Sequence, residues 1–114
     1  MNGDPSPLLQ HLEINQLKAV IGKAKIAFGE RPPHGAYEDL YQFVSELTFP
    51  QRVELVSLVQ VGRGVERFTI KNWSRILRQQ SANAEFPNYI TTMEPLAEYL
   101  EKAADILELK EEGF

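Results

Sequence analysis

No cysteine occurs among the 114 residues. That absence excludes a disulfide scaffold, a thiolate zinc site, an iron–sulfur cluster and a cysteine nucleophile. Long apolar runs are missing too: no stretch approaches the roughly 18–20 apolar residues that span a bilayer. The opening MNGDPSPLLQ has neither the basic nor the apolar region of a secretory signal, so the expected location is the cytoplasm. Histidine is scarce. His11 and His34 stand 23 positions apart, and neither is paired at i, i+4 with another ligand type, so no metal site is expected. No glycine-rich phosphate loop, nucleophile elbow or HExxH run occurs. Carboxylate pairs such as Glu98 with Glu101 or Asp105 fall on a wet helix face and lack the burial that acid–base work demands. No cofactor and no catalytic residue is expected.

What is present describes an ordinary globular domain, 43% hydrophobic and 25% charged. A chain of this size buries about two-thirds of its unfolded surface, enough for one core without staples. Residues 1–7 read as a frayed tail, and Leu8, Leu9 and Leu12 as a segment laid on the core, so 1–13 precede the domain proper. From Ile14 the apolar positions Ile14, Leu17, Ile21, Ala24 and Phe28 share one helical face. Gly22 inside that run implies either a close neighbour or a weak spot. The loop Gly29–Gly35 ends the helix. A second helix, Ala36–Leu47, is predicted to bury Tyr37, Leu40, Tyr41, Val44 and Leu47.

Thr48-Phe-Pro-Gln51 fits a capping box with a tolerated proline. The third helix, Pro50–Val61, is apolar almost all round and belongs at the centre. Its valines also suit a buried strand, but its length and its cap favour the helix. Gly62 and Gly64 supply a C-cap. Thr69 is expected to cap a fourth helix, Ile70–Ser81, with Ile70, Trp73 and Leu77 on its core face and Ile76 flanking. Ser81–Tyr89 reads as a loop. Thr91 and Glu94 suggest another capping box, opening a last helix that runs to Lys110 with Leu96, Leu100, Ala103 and Leu107 inward and Tyr99 and Ile106 at its edges. The fold class is all-α: a compact orthogonal bundle of about five helices over residues 14–110, with 111–114 as a tail.

The charges are segregated. Twelve Lys+Arg stand against sixteen Asp+Glu overall, yet 15–31 and 63–78 are basic and 85–112 strongly acidic. Lys71, Arg75 and Arg78 fall at i, i+4, i+7, opposite Trp73. Glu94, Glu98, Glu101, Asp105 and Glu108 form an equally regular acidic stripe. Each stripe is either a solvated face or a surface that meets a partner, where complementary charge speeds and orients association.

The segments Glu54-Leu-Val-Ser-Leu-Val-Gln-Val-Gly-Arg-Gly64, Trp73, Asn88-Tyr-Ile and Glu94-Pro-Leu-Ala-Glu-Tyr-Leu-Glu101 resemble a family of small bacterial proteins, domain of unknown function thirty-seven seventy-five. The resemblance covers about Leu9–Leu107 and is most specific from Tyr37 onward. It implies a compact helical domain, with no established activity, cofactor or catalytic residues. Two departures accompany it. Relatives tend to have a longer acidic segment where this chain has Gly29–Gly35, and aspartates where it has Val65, Glu66 and Arg67.

These readings lead to a non-enzymatic, cytoplasmic protein-interaction module, an accessory or adaptor subunit that docks on a larger protein or on itself. Its contact residues are expected to be Arg63, Arg67, Lys71, Arg75 and Arg78, with Glu94, Glu98, Glu101 and Asp105 second. The alternative is a nucleic-acid-binding regulator using the same basic stripe. Against it stand the acidic net charge and the eight residues Gly62–Thr69, too long for a helix-turn-helix turn. An enzyme assembled from Tyr41, Arg63, His34 and Glu94 is the weakest reading.

Overall fold

Nine consecutive positions, Glu54–Gly62, are buried, and that single fact organises the molecule. A helix carrying Leu55, Val56, Leu58, Val59 and Val61 has no polar face to give to water, so other helices must surround it. The computed structural model describes residues 8–109. The tail readings of 1–7 and 111–114 lie outside those described residues, and the last helix ends at Ile106 rather than running on to Lys110, with a turn at 107–108 in which Glu108 takes φ 60°. Among the described residues all regular structure is helical: α1 (Ile14–Ala27), α2 (Ala36–Glu46), α3 (Phe49–Arg63), α4 (Trp73–Gln79), α5 (Ser81–Ala84), α6 (Pro87–Thr91) and α7 (Leu96–Ile106).

α3 is the central element and packs chiefly on α7; α1 packs on both α2 and α7. The capping box forms as its residues predict. The Gln51 backbone N–H donates to Thr48 Oγ1 at 3.2 Å, and the Thr48 N–H donates to Gln51 Oε1 at 2.9 Å. Gly64 takes the left-handed conformation (φ 83°) that ends the helix, at no steric cost to a residue without Cβ. Gly62 has a different task. It remains helical and lets α7 approach, since a Cβ there would meet the backbone of Tyr99.

Ahead of α1, Leu9 and Leu12 are buried and Leu8 packs against the core, so this segment is laid on the core as its leucines imply. It is tied down by Glu54. That buried carboxylate accepts the backbone N–H groups of Gln10, His11 and Leu12 at 2.9, 3.0 and 2.7 Å. Trp73 completes the anchor: its indole N–H donates to the Leu8 carbonyl at 2.8 Å, and Phe68 meets its ring edge-on at 5.6 Å.

Several expectations are corrected. The fourth helix starts at Trp73 rather than Ile70; ahead of it Thr69 and Asn72 exchange side-chain-to-backbone hydrogen bonds (Asn72 N–H to Thr69 Oγ1, 3.1 Å; Thr69 N–H to Asn72 Oδ1, 2.8 Å). The pattern is the same reciprocal one that Thr48 and Gln51 make, but here residues 70–72 form a single turn, closed by the Asn72 N–H on the Thr69 carbonyl at 3.2 Å, and the helix proper follows it. Ile70 is therefore 79% exposed and not on the core. Ile76 is buried in its place, with Leu77 half-buried at the flank. The stretch Ser81–Tyr89 is not a plain loop but holds α5 and most of α6. Thr91 opens no capping box. It ends α6, buried, with its hydroxyl 3.3 Å from the Tyr37 phenol, and α7 starts after Pro95 without a side-chain cap. In α2 the core residues are Leu40 and Val44, followed by Leu47; Tyr37 is half-buried and Tyr41 exposed. In α1 Val20 joins the buried face, while Ile14 and Phe28 only border it.

Candidate functional site

The five basic residues do not lie on one helix. Arg63 ends α3, Arg67 and Lys71 lie in the chain between α3 and α4, and Arg75 and Arg78 are on α4. All five are exposed. Because α4 begins only at Trp73, Lys71 stands in the preceding turn and the expected helical stripe is reduced to Arg75 and Arg78. Arg75 is partly engaged: it donates to Gln79 Oε1 at 2.8 Å and approaches Glu66 at 3.6 Å. Among the described residues the side-chain heads of Arg67, Lys71 and Arg78 have no partner. Arg78 borders a mainly apolar groove of about 300 Å³ with Phe49, Val53 and Leu77.

The turn between α3 and α4 carries something the charge pattern did not disclose. Val65 is 59% exposed and Ile70 79% exposed, so two aliphatic side chains alternate with Arg67 and Lys71 on one short segment. The spacing of Ile70 to Trp73 predicts a core position for it. Because α4 opens only at Trp73, Ile70 falls ahead of the face that Trp73 and Ile76 bury.

The acidic residues are gathered more closely. Glu94, Glu98 and Glu101 line one groove of about 320 Å³ between α1 and α7, together with Lys25. Lys25 Nζ pairs with Glu101 at 2.8 Å, as Lys23 pairs with Asp39 of α2 at 2.7 Å. The acidic stripe thus answers, in part, the basic first helix of its own chain. Asp105 sits further along α7, exposed.

Arg63 belongs to a third groove, of about 410 Å³, lined also by Tyr89, Thr92, Met93, Pro95 and Tyr99. Behind it lies a polar network inside the bundle. Arg63 Nη1 donates to Gln60 Oε1 at 3.2 Å; Gln60 Nε2 donates to the Tyr89 phenol oxygen at 2.7 Å and to Gln80 Oε1 at 3.2 Å. Asn83 Nδ2 donates to the same Gln80 oxygen at 2.8 Å. Gln60 and Gln80 are both buried, and pairing their amides removes the cost of leaving such groups dry and unbonded. Charge reading alone missed Gln60, Tyr89 and Tyr99.

Among the described residues no group of three or more His, Asp or Glu side chains is placed to hold a metal ion, and no helix is long and apolar enough to cross a membrane. His11 and His34 are both exposed, one before α1 and one in the loop before α2. Neither a curated protein nor a solved structure is matched by the chain. The family described as "Protein of unknown function (DUF3775)" matches residues 37–109. That span excludes α1 and includes α3, α7 and every residue of the Arg63 groove. It is more than half of the chain, and the protein belongs to this family.

Proposed function

We propose that the protein is a non-enzymatic interaction module that docks on an acidic partner protein through the segment Gly64–Lys71. The observation that carries this reading is Ile70, 79% exposed between Arg67 and Lys71. Folding stands to gain from burying an isoleucine, so one held outward by a hydrogen-bonded turn is available to a partner. The flanking cations would steer approach, and the aliphatic side chains would supply contact area. Arg78, with the apolar groove beside it, extends the same chemistry along α4.

Ile70 also favours a protein over a nucleic acid. Phosphate contacts need only the cations, and their affinity falls steeply with salt; an exposed Ile70 adds nothing to them.

Affinity capture of the tagged full-length chain at low and high salt, from the organism that encodes it, tests the reading. Three forms are compared: the natural protein, Ile70→Ser and Arg67→Glu/Lys71→Glu. A protein retained by the first and lost by both variants supports docking at this turn. Captured proteins unchanged by both variants would rule the turn out. Loss of nucleic acid with the charge reversal, and its retention with Ile70→Ser, would establish the nucleic-acid alternative instead.

A further inference from the structure

The Arg63 groove has a hydrogen-bonding polarity that identifies what it can hold. A guanidinium only donates. The contact of Arg63 Nη1 with Gln60 therefore fixes the oxygen of that amide toward Arg63 and turns its NH₂ inward. That NH₂ donates to the oxygen of Tyr89. The Tyr89 phenol is an acceptor inside the network, and its own O–H proton has no acceptor among the described residues. Thr92 behaves in the opposite way: its hydroxyl donates to the Asn88 carbonyl at 2.6 Å and so offers lone pairs, not a proton, to the groove.

The groove thus presents two donors together, the remaining guanidinium N–H groups of Arg63 and the Tyr89 O–H. They are carried by a buried network that keeps both side chains in place. Beside them stand Met93, Pro95 and Tyr99, the smaller, apolar part of a mostly polar lining, on which a compact apolar body can rest. One cation lines this groove, so a polyanion would find no second charge to meet. A volume of about 410 Å³ lies in the range of small-molecule sites.

The geometry points to a binding site for a small organic anion, with its acid group held by Arg63 and Tyr89 and its apolar body on Met93, Pro95 and Tyr99. A carboxylate fits the planar fork of arginine through two oxygens, and a phosphate monoester offers the same contacts. This site is separate from the docking turn and does not depend on it.

Titration of the ¹⁵N-labelled full-length protein by NMR tests the assignment. The probes are phenylacetate and phenyl phosphate, with inorganic phosphate as the bare anion and phenol as the bare ring. Saturable shifts are expected at Arg63, Thr92, Met93 and Tyr99 for at least one of the two aromatic anions, with Kd of about 1 mM or tighter. Both bare probes should bind more weakly, and the stronger of the two aromatic anions separates carboxylate from phosphate. Tyr89→Phe keeps the ring and removes the proton, and should weaken binding about tenfold. Arg63→Gln, altering an exposed head, should abolish it, and Lys71→Glu should leave it unchanged. Should Tyr89→Phe fail to fold, Arg63→Gln alone decides. Absence of saturable binding by either aromatic anion, affinity unchanged in Arg63→Gln, or shifts confined to residues 65–71 would overturn the site.

Discussion

Gly62 and Tyr99 meet backbone to backbone where α3 crosses α7. A Cβ built on Gly62 lies 2.6 Å from the Tyr99 carbonyl carbon and 2.9 Å from its Cα, and nearer still to its oxygen. These are backbone atoms, with no flexible end to swing away. The central helix and its main neighbour could then hold a methyl group only by moving apart. Gly62→Ala should therefore cost about 3 kcal/mol or more, at the upper end of overpacking effects. Gly64→Ala, at φ 83° with nothing within 4 Å, should cost only about 1–2 kcal/mol of backbone strain. Urea unfolding of the two variants checks the order; equal losses would mean that the helix crossing is not rigid.

Glu54→Gln should release the segment ahead of α1. The natural carboxylate accepts three backbone N–H groups, from Gln10, His11 and Leu12. An amide has one oxygen and would turn its own N–H groups toward remaining donors. The expected loss is about 2–4 kcal/mol, since bonds to a charged acceptor are the stronger kind and an orphaned buried donor adds its desolvation cost. Two local readouts follow. Amide exchange at Gln10–Leu12 should accelerate ahead of the rest of the chain. Emission of Trp73, the sole tryptophan and the donor to Leu8, should shift to the red. Uniform exchange behaviour and unshifted fluorescence would contradict the clamp.

The parts of this architecture that the residues disclosed are those governed by neighbours in the chain. The all-round apolar pattern of Leu55–Val61 indicated a surrounded helix, Thr48 with Gln51 marked its start, and the segregation of charge was visible in the order of residues. What stayed hidden depends on distant parts of the chain meeting. Glu54 reads as an ordinary helix-surface acid until the segment 42–44 positions away lies over it. Gly62 reads as a cap until Tyr99 crosses it. Thr91 looked like a cap because its partner, Tyr37, is 54 positions away. The two short helices within 81–91 span four and five residues, too few for a periodicity to register. The Arg63 groove was illegible for the same reason. Its donors come from α3 and α6, its apolar wall from α7 and the turn before it, and only the fold brings them together.

Arg52 is expected to be the main polar tie between α2, α3 and α5. Its Nε donates to the Ala84 carbonyl at 2.9 Å and its Nη1 to the Leu47 carbonyl at 2.7 Å, so one guanidinium satisfies carbonyls just past α2 and at the end of α5. Arg52→Met preserves much of the stem and leaves both carbonyls without their donor, and should cost about 1–3 kcal/mol. Arg52→Lys should recover less than half of that, because a single ammonium lacks the fork that spans two acceptors. Full recovery by lysine in thermal unfolding would show that charge, not geometry, is what the site uses.

Gly22→Ala should have the opposite sign to Gly62→Ala, although both glycines lie within helices. Nothing stands within 4 Å of a Cβ built on Gly22, so of the two explanations its sequence position allows, a close neighbour is excluded and a weak point in α1 remains. Alanine there adds no clash and removes the extra backbone entropy that glycine loses on folding. The expected gain is about 0.5–1 kcal/mol, a rise of roughly 2–6 °C in Tm for a domain of this size. Circular dichroism melts at several protein concentrations check both sign and origin. A gain independent of concentration locates the effect in the helix itself. A loss that shrinks on dilution would mean instead that the open space beside Gly22 is where a second copy of the chain packs, and that a methyl group keeps it out.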